Sequence, residues 1–200
     1  MIIRKKFKFE ASHIVRNCFS ERCKYSIHGH SYELEIFLSA NKLDNGQMIY
    51  DFGLLKGFMK SFIDSFDHAT IFWDKDDPDY IDSIKKHSDR YISLPVSSSA
   101  EMLSLFFLKA LNFILQSTNF NNGESAITIT SVRVHETATG YAESFAEDLL
   151  NENFPAINLS EVVFSPAIMK DWPDADLWQD LLSGKRRIEN PSTEIQVPVD

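Results

Sequence analysis

The chain has 200 residues and a formal net charge of −9 with a pI near 5.1. This excludes the clustered basic face of a nucleic-acid or anionic-membrane surface and leaves any anionic substrate to be met by locally placed cations. The length suits one domain with at most an appendage, and no apolar run approaches the roughly 18–20 residues of a membrane span.

The N-terminus, Met1 to Lys6, carries no signal-peptide core, so a cytoplasmic protein with no membrane partner is expected. From Ile3 the odd positions Phe7, Phe9, Ala11 and His13 share one face of a strand, with Arg4, Lys6, Lys8 and Glu10 opposite. Residues 14–27 have no period and read as a loop, in which Arg16, Arg22 and Lys24 are candidate anion contacts. From His28 the even positions His28, His30, Tyr32, Leu34, Ile36 and Leu38 alternate with Ser31, Glu33 and Glu35, predicting a second strand antiparallel to the first. Asp44-Asn45-Gly46 signals a turn, and Met48, Tyr50 and Phe52 continue a short extended segment.

Asp51 is placed to cap a helix in which Phe52, Leu55, Met59, Phe62, Ile63 and Phe66 recur at helical spacing, with Asp67-His68 at its end. Residues 74–94 read as a charged, irregular insertion with a short helix around Ile81 to His87. Ser98 and Glu101 have capping-box spacing and open a second helix that buries Leu103, Phe106, Phe107 and Ala110. The β-branched run from Ala126 to His135, the Thr139-Gly140 turn and Tyr141 to Phe145 predict a second hairpin. Beyond residue 147 the composition changes. A short helix from Asp176 to Leu182 is expected, the aromatic residues Phe154, Phe164, Trp172 and Trp178 predict packing, and the polar last 15 or so residues are expected to be disordered.

The first hairpin brings His13, His28 and His30 together. Neutral imidazoles in this number suit Zn²⁺, and three protein ligands leave a fourth position for water or substrate, as in catalytic zinc sites. The bland reading of His-Gly-His alone is a pair of half-exposed strand histidines, and His13 is what moves the balance toward a metal. Cys23 has three readings: a thiolate base, a fourth ligand that closes the site, or an inert loop residue. Asp67-His68 is either a histidine at a helix C-terminus with a structural carboxylate or a proton relay. Glu136 stands on the apolar side of its strand with Val132 and Val134. Such a carboxylate is paired with a buried cation or awaits a ligand with two parallel N–H donors. His135 faces the other way and reads as structural.

Phe9-Glu10-Ala11-Ser12-His13, Cys23 with His28-Gly29-His30, Tyr50-Asp51-Phe52-Gly53-Leu54-Leu55-Lys56, Phe66-Asp67-His68 and Val132-Arg133-Val134-His135-Glu136-Thr137 together resemble the signature segments of the 6-pyruvoyltetrahydropterin synthase family. That family includes the bacterial 6-carboxy-5,6,7,8-tetrahydropterin synthases of the queuosine pathway. The resemblance covers about residues 1–145. It implies an α+β tunnelling fold of ββααββ order, with a four-stranded antiparallel sheet backed by two helices. Subunits of this fold join edge to edge into trimers or hexamers with active sites at their interfaces. A catalytic domain over residues 1–147 and an extension over 148–200 follow.

By the same resemblance, His13, His28 and His30 would bind Zn²⁺, Cys23 would be the base, Asp67 and His68 its relay partners, and Glu136 the anchor for the pterin edge. Ser99 and Ala100 match a substrate-holding pair of the family, although Ala100 departs from its hydroxyl pattern. Four residues lie between Cys23 and His28, a gap between those of the carboxy- and pyruvoyl-forming branches. The short loops favour the carboxy-forming lyase acting on 7,8-dihydroneopterin triphosphate. The alternatives are the pyruvoyl-forming synthase and a non-enzymatic module stapled by a closed zinc site.

Overall fold

A computed structural model describes residues 1–192. Strand β1 (Ile3–His13) pairs antiparallel with β2 (His28–Ser39), in a register that sets Phe9 opposite Tyr32, Ala11 opposite His30 and His13 opposite His28. The alternation seen in the sequence is realised, because Phe7, Phe9, Tyr32, Leu34 and Ile36 are buried on one face. On the other face Glu33 is held at 2.7 Å by both Lys6 and Lys8. There the buried Glu35 meets Arg4 at 2.7 Å and Arg133 at 3.3 Å.

Strands β3 (Ala69–Trp73) and β4 (Tyr91–Leu94) flank helix α3 (Pro78–His87). Helix α4 (Ala100–Gln116) follows, then the two-residue β5 (Thr118–Asn119), and then the second hairpin, β6 (Thr128–Thr137) with β7 (Gly140–Phe145). Helices α1 (Glu21–Tyr25) and α2 (Phe58–Asp64) precede these, and β8 (Val163–Phe164), α5 (Pro166–Lys170), α6 (Leu177–Leu182) and β9 (Ile188–Glu189) end the described chain. Phe62 and Phe66 around the end of α2 and Phe106 and Phe107 of α4 pack ring against ring beneath the sheet, with Phe66 and Phe107 centroids 4.6 Å apart.

The expected four-stranded sheet is not what the chain forms: among the described residues the sheet has seven strands, in which the two hairpins stand as β7-β6-β2-β1 and continue as β3-β4-β8. Here β3 runs parallel to β1 over Ala11 and Ser12 only, β4 runs parallel to β3, and β8 closes antiparallel on β4. Charge concealed these strands. Asp79, Asp82, Lys85 and Lys86 belong to the crossover helix α3, which Asp77 caps by accepting from the Tyr80 N–H at 3.1 Å, with Pro78 at its first turn.

Three local expectations also change. Asp51 accepts from the Gly53 N–H instead of capping a long helix, and a 3₁₀ turn at Leu54–Lys56 and Gly57 interrupts the segment before α2. Met48 to Phe52 pair with no strand among the described residues. The cap of α4 is Ser99, whose hydroxyl accepts from the Met102 N–H, and not Ser98.

The segment after 147 joins the same core. Phe164, Trp172 and Trp178 are buried, and Trp178 lies 5.0 Å from Phe62 between ring centroids, whereas Phe154 stays half-exposed. Ile188 and Glu189 of β9 pair with β5, so the ordered chain reaches into the tail expected to be disordered; the rest of that tail lies outside the described residues. No helix among the described residues is long and apolar enough to cross a membrane.

Candidate metal centre and active site

The site begins where β1 ends and β2 starts, because the register places His13 across from His28 and the two-residue period adds His30 on the same face. Gly29 fits between them for a steric reason: a Cβ there would lie 3.2 Å from the Ala11 carbonyl oxygen. The ring centroids of the three histidines lie 4.6 to 5.1 Å apart. Their ligand nitrogens all fall within 4.8 Å of one another.

Hydrogen bonding fixes which nitrogens point inward. A carbonyl only accepts, so His13 Nδ1–H donates to Ser98 O at 2.8 Å and His28 Nδ1–H donates to Ser26 O at 2.9 Å, leaving both Nε2 atoms as lone-pair donors. His30 Nε2 is buried with no partner. Burial, helped by the neighbouring His28 and His30 and opposed by the Ser98 carbonyl, lowers the His13 pKa to about 4. Burial and His28 also lower that of His30. His13 and His30 are therefore held neutral near pH 7, His30 with an orphaned nitrogen, and with the inward Nε2 of His28 this donor set fits Zn²⁺.

Glu136 reaches the same place from β6, its Oε1 3.8 Å from His13 Nε2 and buried with no hydrogen-bond partner. Burial, then the Glu101 charge, raises its pKa, against the lowering pull of His28 and the Tyr32 hydroxyl. Tyr32 is fully buried, its hydroxyl 3.2 Å from His13 Nδ1, and burial and the Glu136 carboxylate push its own pKa up. The sequence alternation assigns Tyr32 no role beyond its strand face; its place on the His28, His30 face was the signal for more.

Cys23 lies on α1, a turn of helix inside what the sequence presented as loop, and its carbonyl accepts from the Val15 N–H at 3.1 Å. That pairing ties it two residues beyond His13. Cys23 is half-buried, and the metal-capable group among the described residues consists of the three histidines without it. Arg16 is engaged otherwise than expected. Its Nε donates to both Asp76 oxygens at 2.9 and 3.1 Å, its Nη1 donates to Lys24 O at 2.9 Å, and its guanidinium lies over Tyr80. The insertion thus holds the Cys23 segment, and Arg16 is committed to that contact and not to an anion.

Asp67 and His68 stand at the outer edge of β1, where His68 lines a cavity of about 340 Å³ together with Gly29 and His30. Asp67 Oδ1 accepts from the Glu10 N–H at 2.7 Å, Glu10 O accepts from the His68 N–H at 2.6 Å, and His68 Nδ1 is 2.9 Å from Asp67 Oδ2. His68 is exposed and adopts a φ of 59°. No hydrogen bond, ion pair or ring contact among the described residues joins this pair to the three histidines or to Cys23. Ser99 and Ala100 lie at the start of α4, next to the Ser98 carbonyl that holds His13, and the Ser99 hydroxyl is occupied as a cap.

A family model, 6-pyruvoyl tetrahydropterin synthase, matches residues 2–147. The chain is 46% identical over 188 residues to a 6-carboxy-5,6,7,8-tetrahydropterin synthase of Helicobacter pylori strain J99, covering 94% of each chain. It is 30% identical over 162 residues to the Aquifex aeolicus protein of that name, covering 70% of this chain and 95% of the relative. Two solved structures are similar in fold. An uncharacterized protein of Wolinella succinogenes has a TM-score of 0.59 at 19% identity, over 74% of this chain and 98% of its own. The Caenorhabditis elegans 6-pyruvoyl tetrahydropterin synthase has a TM-score of 0.50 at 20% identity, over 73% and 95%.

Proposed function

The chain belongs to the 6-pyruvoyl tetrahydropterin synthase family, and on that premise we propose that it is the lyase that converts 7,8-dihydroneopterin triphosphate and water to 6-carboxy-5,6,7,8-tetrahydropterin, acetaldehyde and triphosphate. The relatives of near-full coverage carry that name. The reaction belongs to the cytoplasmic route to queuosine. The observation that carries this reading is the convergence of three imidazoles with a buried carboxylate oxygen of Glu136 that has no hydrogen-bond partner. Substrate with adjacent hydroxyls and a two-donor N–H edge meets both needs at once.

His13, His28 and His30 would hold zinc through Nε2 of the first two and the orphaned Nε2 of His30. When bound, zinc supplies Lewis-acid polarisation of the substrate side-chain hydroxyls. Glu136 accepts from the 2-amino and ring N–H groups of the pterin, a pairing that restores partners to its buried oxygen and favours its ionised form. Cys23, on the segment next to His13, removes a proton from the substrate side chain, and His68, oriented by Asp67, returns one. Ser99 and Ala100 contribute backbone contacts.

The relay pair lies beside the side of β1 that β3 pairs only at Ala11 and Ser12, while β7 is an edge strand of the sheet among the described residues. Joining those edges between copies would satisfy both ladders and yield a ring of subunits, a trimer or stacked hexamer. It would also bring the Asp67-His68 pair of one chain toward a neighbouring chain's site.

The test is the product. Purified zinc-loaded protein given 7,8-dihydroneopterin triphosphate should release acetaldehyde in step with 6-carboxytetrahydropterin. Triphosphate release with 6-pyruvoyltetrahydropterin and no acetaldehyde would overturn the proposal in favour of the pyruvoyl-forming reaction.

A further inference from the structure

The turn that carries Asp67 and His68 is held by Arg90 and, beyond residue 147 where the family match ends, by Asp171 and Trp172. Helix α2 ends at Asp64, whose carbonyl accepts from the Asp67 N–H at 3.0 Å in the turn that follows. Arg90 adds side-chain donors to this turn: its Nη2 donates to Asp64 O at 3.3 Å and Ser65 O at 3.5 Å, and its Nε donates to Asp67 O at 3.0 Å. The remaining arm, Nη1, donates to the Asp171 carboxylate just after α5.

The next residue, Trp172, is buried with its ring centroid 5.1 Å from that of Phe164 and 5.9 Å from that of Phe58. Its Nε1–H donates to the buried Ser65 hydroxyl at 2.8 Å. A cleft of about 660 Å³ opens here, with Asp67, His68, Arg90, Asp171 and Trp172 among its walls.

We propose that Asp171 and Trp172 of the C-terminal segment are positioning residues for the Asp67-His68 pair, acting through Arg90 and Ser65 on the turn between α2 and β3. His68 has a left-handed backbone and an exposed side chain, so its placement depends on what grips residues 64–67 and on the two backbone bonds to Glu10. An acid–base group displaced by about 1 Å loses much of its rate contribution, which makes such a grip matter to turnover more than to substrate binding. The two contacts are unequal. Asp171 is largely exposed, and an exposed ion pair contributes little, whereas the Trp172–Ser65 bond is shielded from water.

The inference rests on the relay reading of Asp67 and His68, and the experiment separates the two. Trp172→Phe keeps the ring and removes the donor, Ser65→Ala removes the acceptor without disturbing the tryptophan, and Asp171→Ala breaks the ion pair. Measured in the full-length zinc-loaded protein, Trp172→Phe and Ser65→Ala should each lower kcat roughly fivefold, the scale of one hydrogen bond, with KM, zinc content and melting temperature near wild type. The two together should cost no more than either alone. Asp171→Ala should have a smaller effect, and Asp171→Glu should restore it.

Wild-type kcat in Trp172→Phe, Ser65→Ala and a Trp172→Phe/Asp171→Ala double variant, while His68→Ala is inactive, would overturn the positioning role alone. A His68→Ala variant with full kcat would overturn the relay reading and this inference with it.

Discussion

His13 and His28 stand opposite each other at the open end of the β1–β2 ladder with ring centroids 4.6 Å apart, each with Nδ1 fixed on a backbone carbonyl. Two imidazoles held this way, with His30 beside them, present lone pairs to a common point without first having to reorganise. Zinc measured by mass spectrometry should therefore approach one ion per chain in the wild type. It should fall to background after dialysis of His28→Ala or His30→Ala, while both variants keep the far-ultraviolet circular dichroism of the parent.

The lowered pKa of His13 makes a stability prediction for the metal-free protein. The unfolded chain takes up a proton at this residue below its ordinary pKa of 6.5, whereas the folded chain does so only near 4. Stability at this position is thus present above pH 6.5, is lost as pH falls from 6.5 toward 4 and levels off below that, by about 3 kcal/mol in all. Urea unfolding at pH 7 and pH 4.5 should show this difference in the wild type, and His13→Asn should remove that part of the slope.

Gly29→Ala should weaken the site through its backbone. The added Cβ would meet the Ala11 carbonyl oxygen at 3.2 Å, and that oxygen is part of the β1 main chain and cannot rotate away. About 1–2 kcal/mol of stability should be lost. Competition with a chromogenic chelator should show weaker zinc binding as His28 and His30 are displaced together.

Glu136→Gln keeps the shape of the side chain and discards its charge. With its oxygen buried and unpartnered in the free protein, the variant should fold and bind zinc as before. It should lose about 100-fold in kcat/KM, since charge-assisted hydrogen bonds to the pterin would be replaced by an amide with one mismatched N–H. Unchanged kcat/KM would remove Glu136 from substrate recognition.

Trp178 tests whether the C-terminal segment shares the core. Its ring lies 5.0 Å from Phe62 and 5.7 Å from Phe113 between centroids, so Trp178→Ala should cost about 3–5 kcal/mol. Urea denaturation should still give one transition at a lower midpoint. Two separated transitions would mean that the segment folds as an independent unit.

Strict alternation made the two hairpins legible, and with them His13, His28, His30 and the apolar side of Glu136, since a period of two fixes the face once the register is known. The insertion was not legible. Its charges sit on an exposed crossover helix, and its strands are too short for a period to emerge. Nor could local spacing locate the Ser98 carbonyl on His13, the Asp76 carboxylate on Arg16 or the grip of Arg90 on residues 64–67, because each joins positions far apart in sequence. Asp67-His68 was recognisable as a pair, but its place beside β1, where His68 and His30 line one cavity, depends on β3 pairing with β1, which the sequence did not announce.

Cys23→Ala is the most direct test of whether the three histidines make an open, reactive zinc centre or a closed staple. The expected result is a folded protein that retains about one zinc per chain by mass spectrometry and has lost acetaldehyde formation from 7,8-dihydroneopterin triphosphate. Loss of zinc together with loss of the folded circular dichroism spectrum would contradict the catalytic role and make Cys23 a structural ligand.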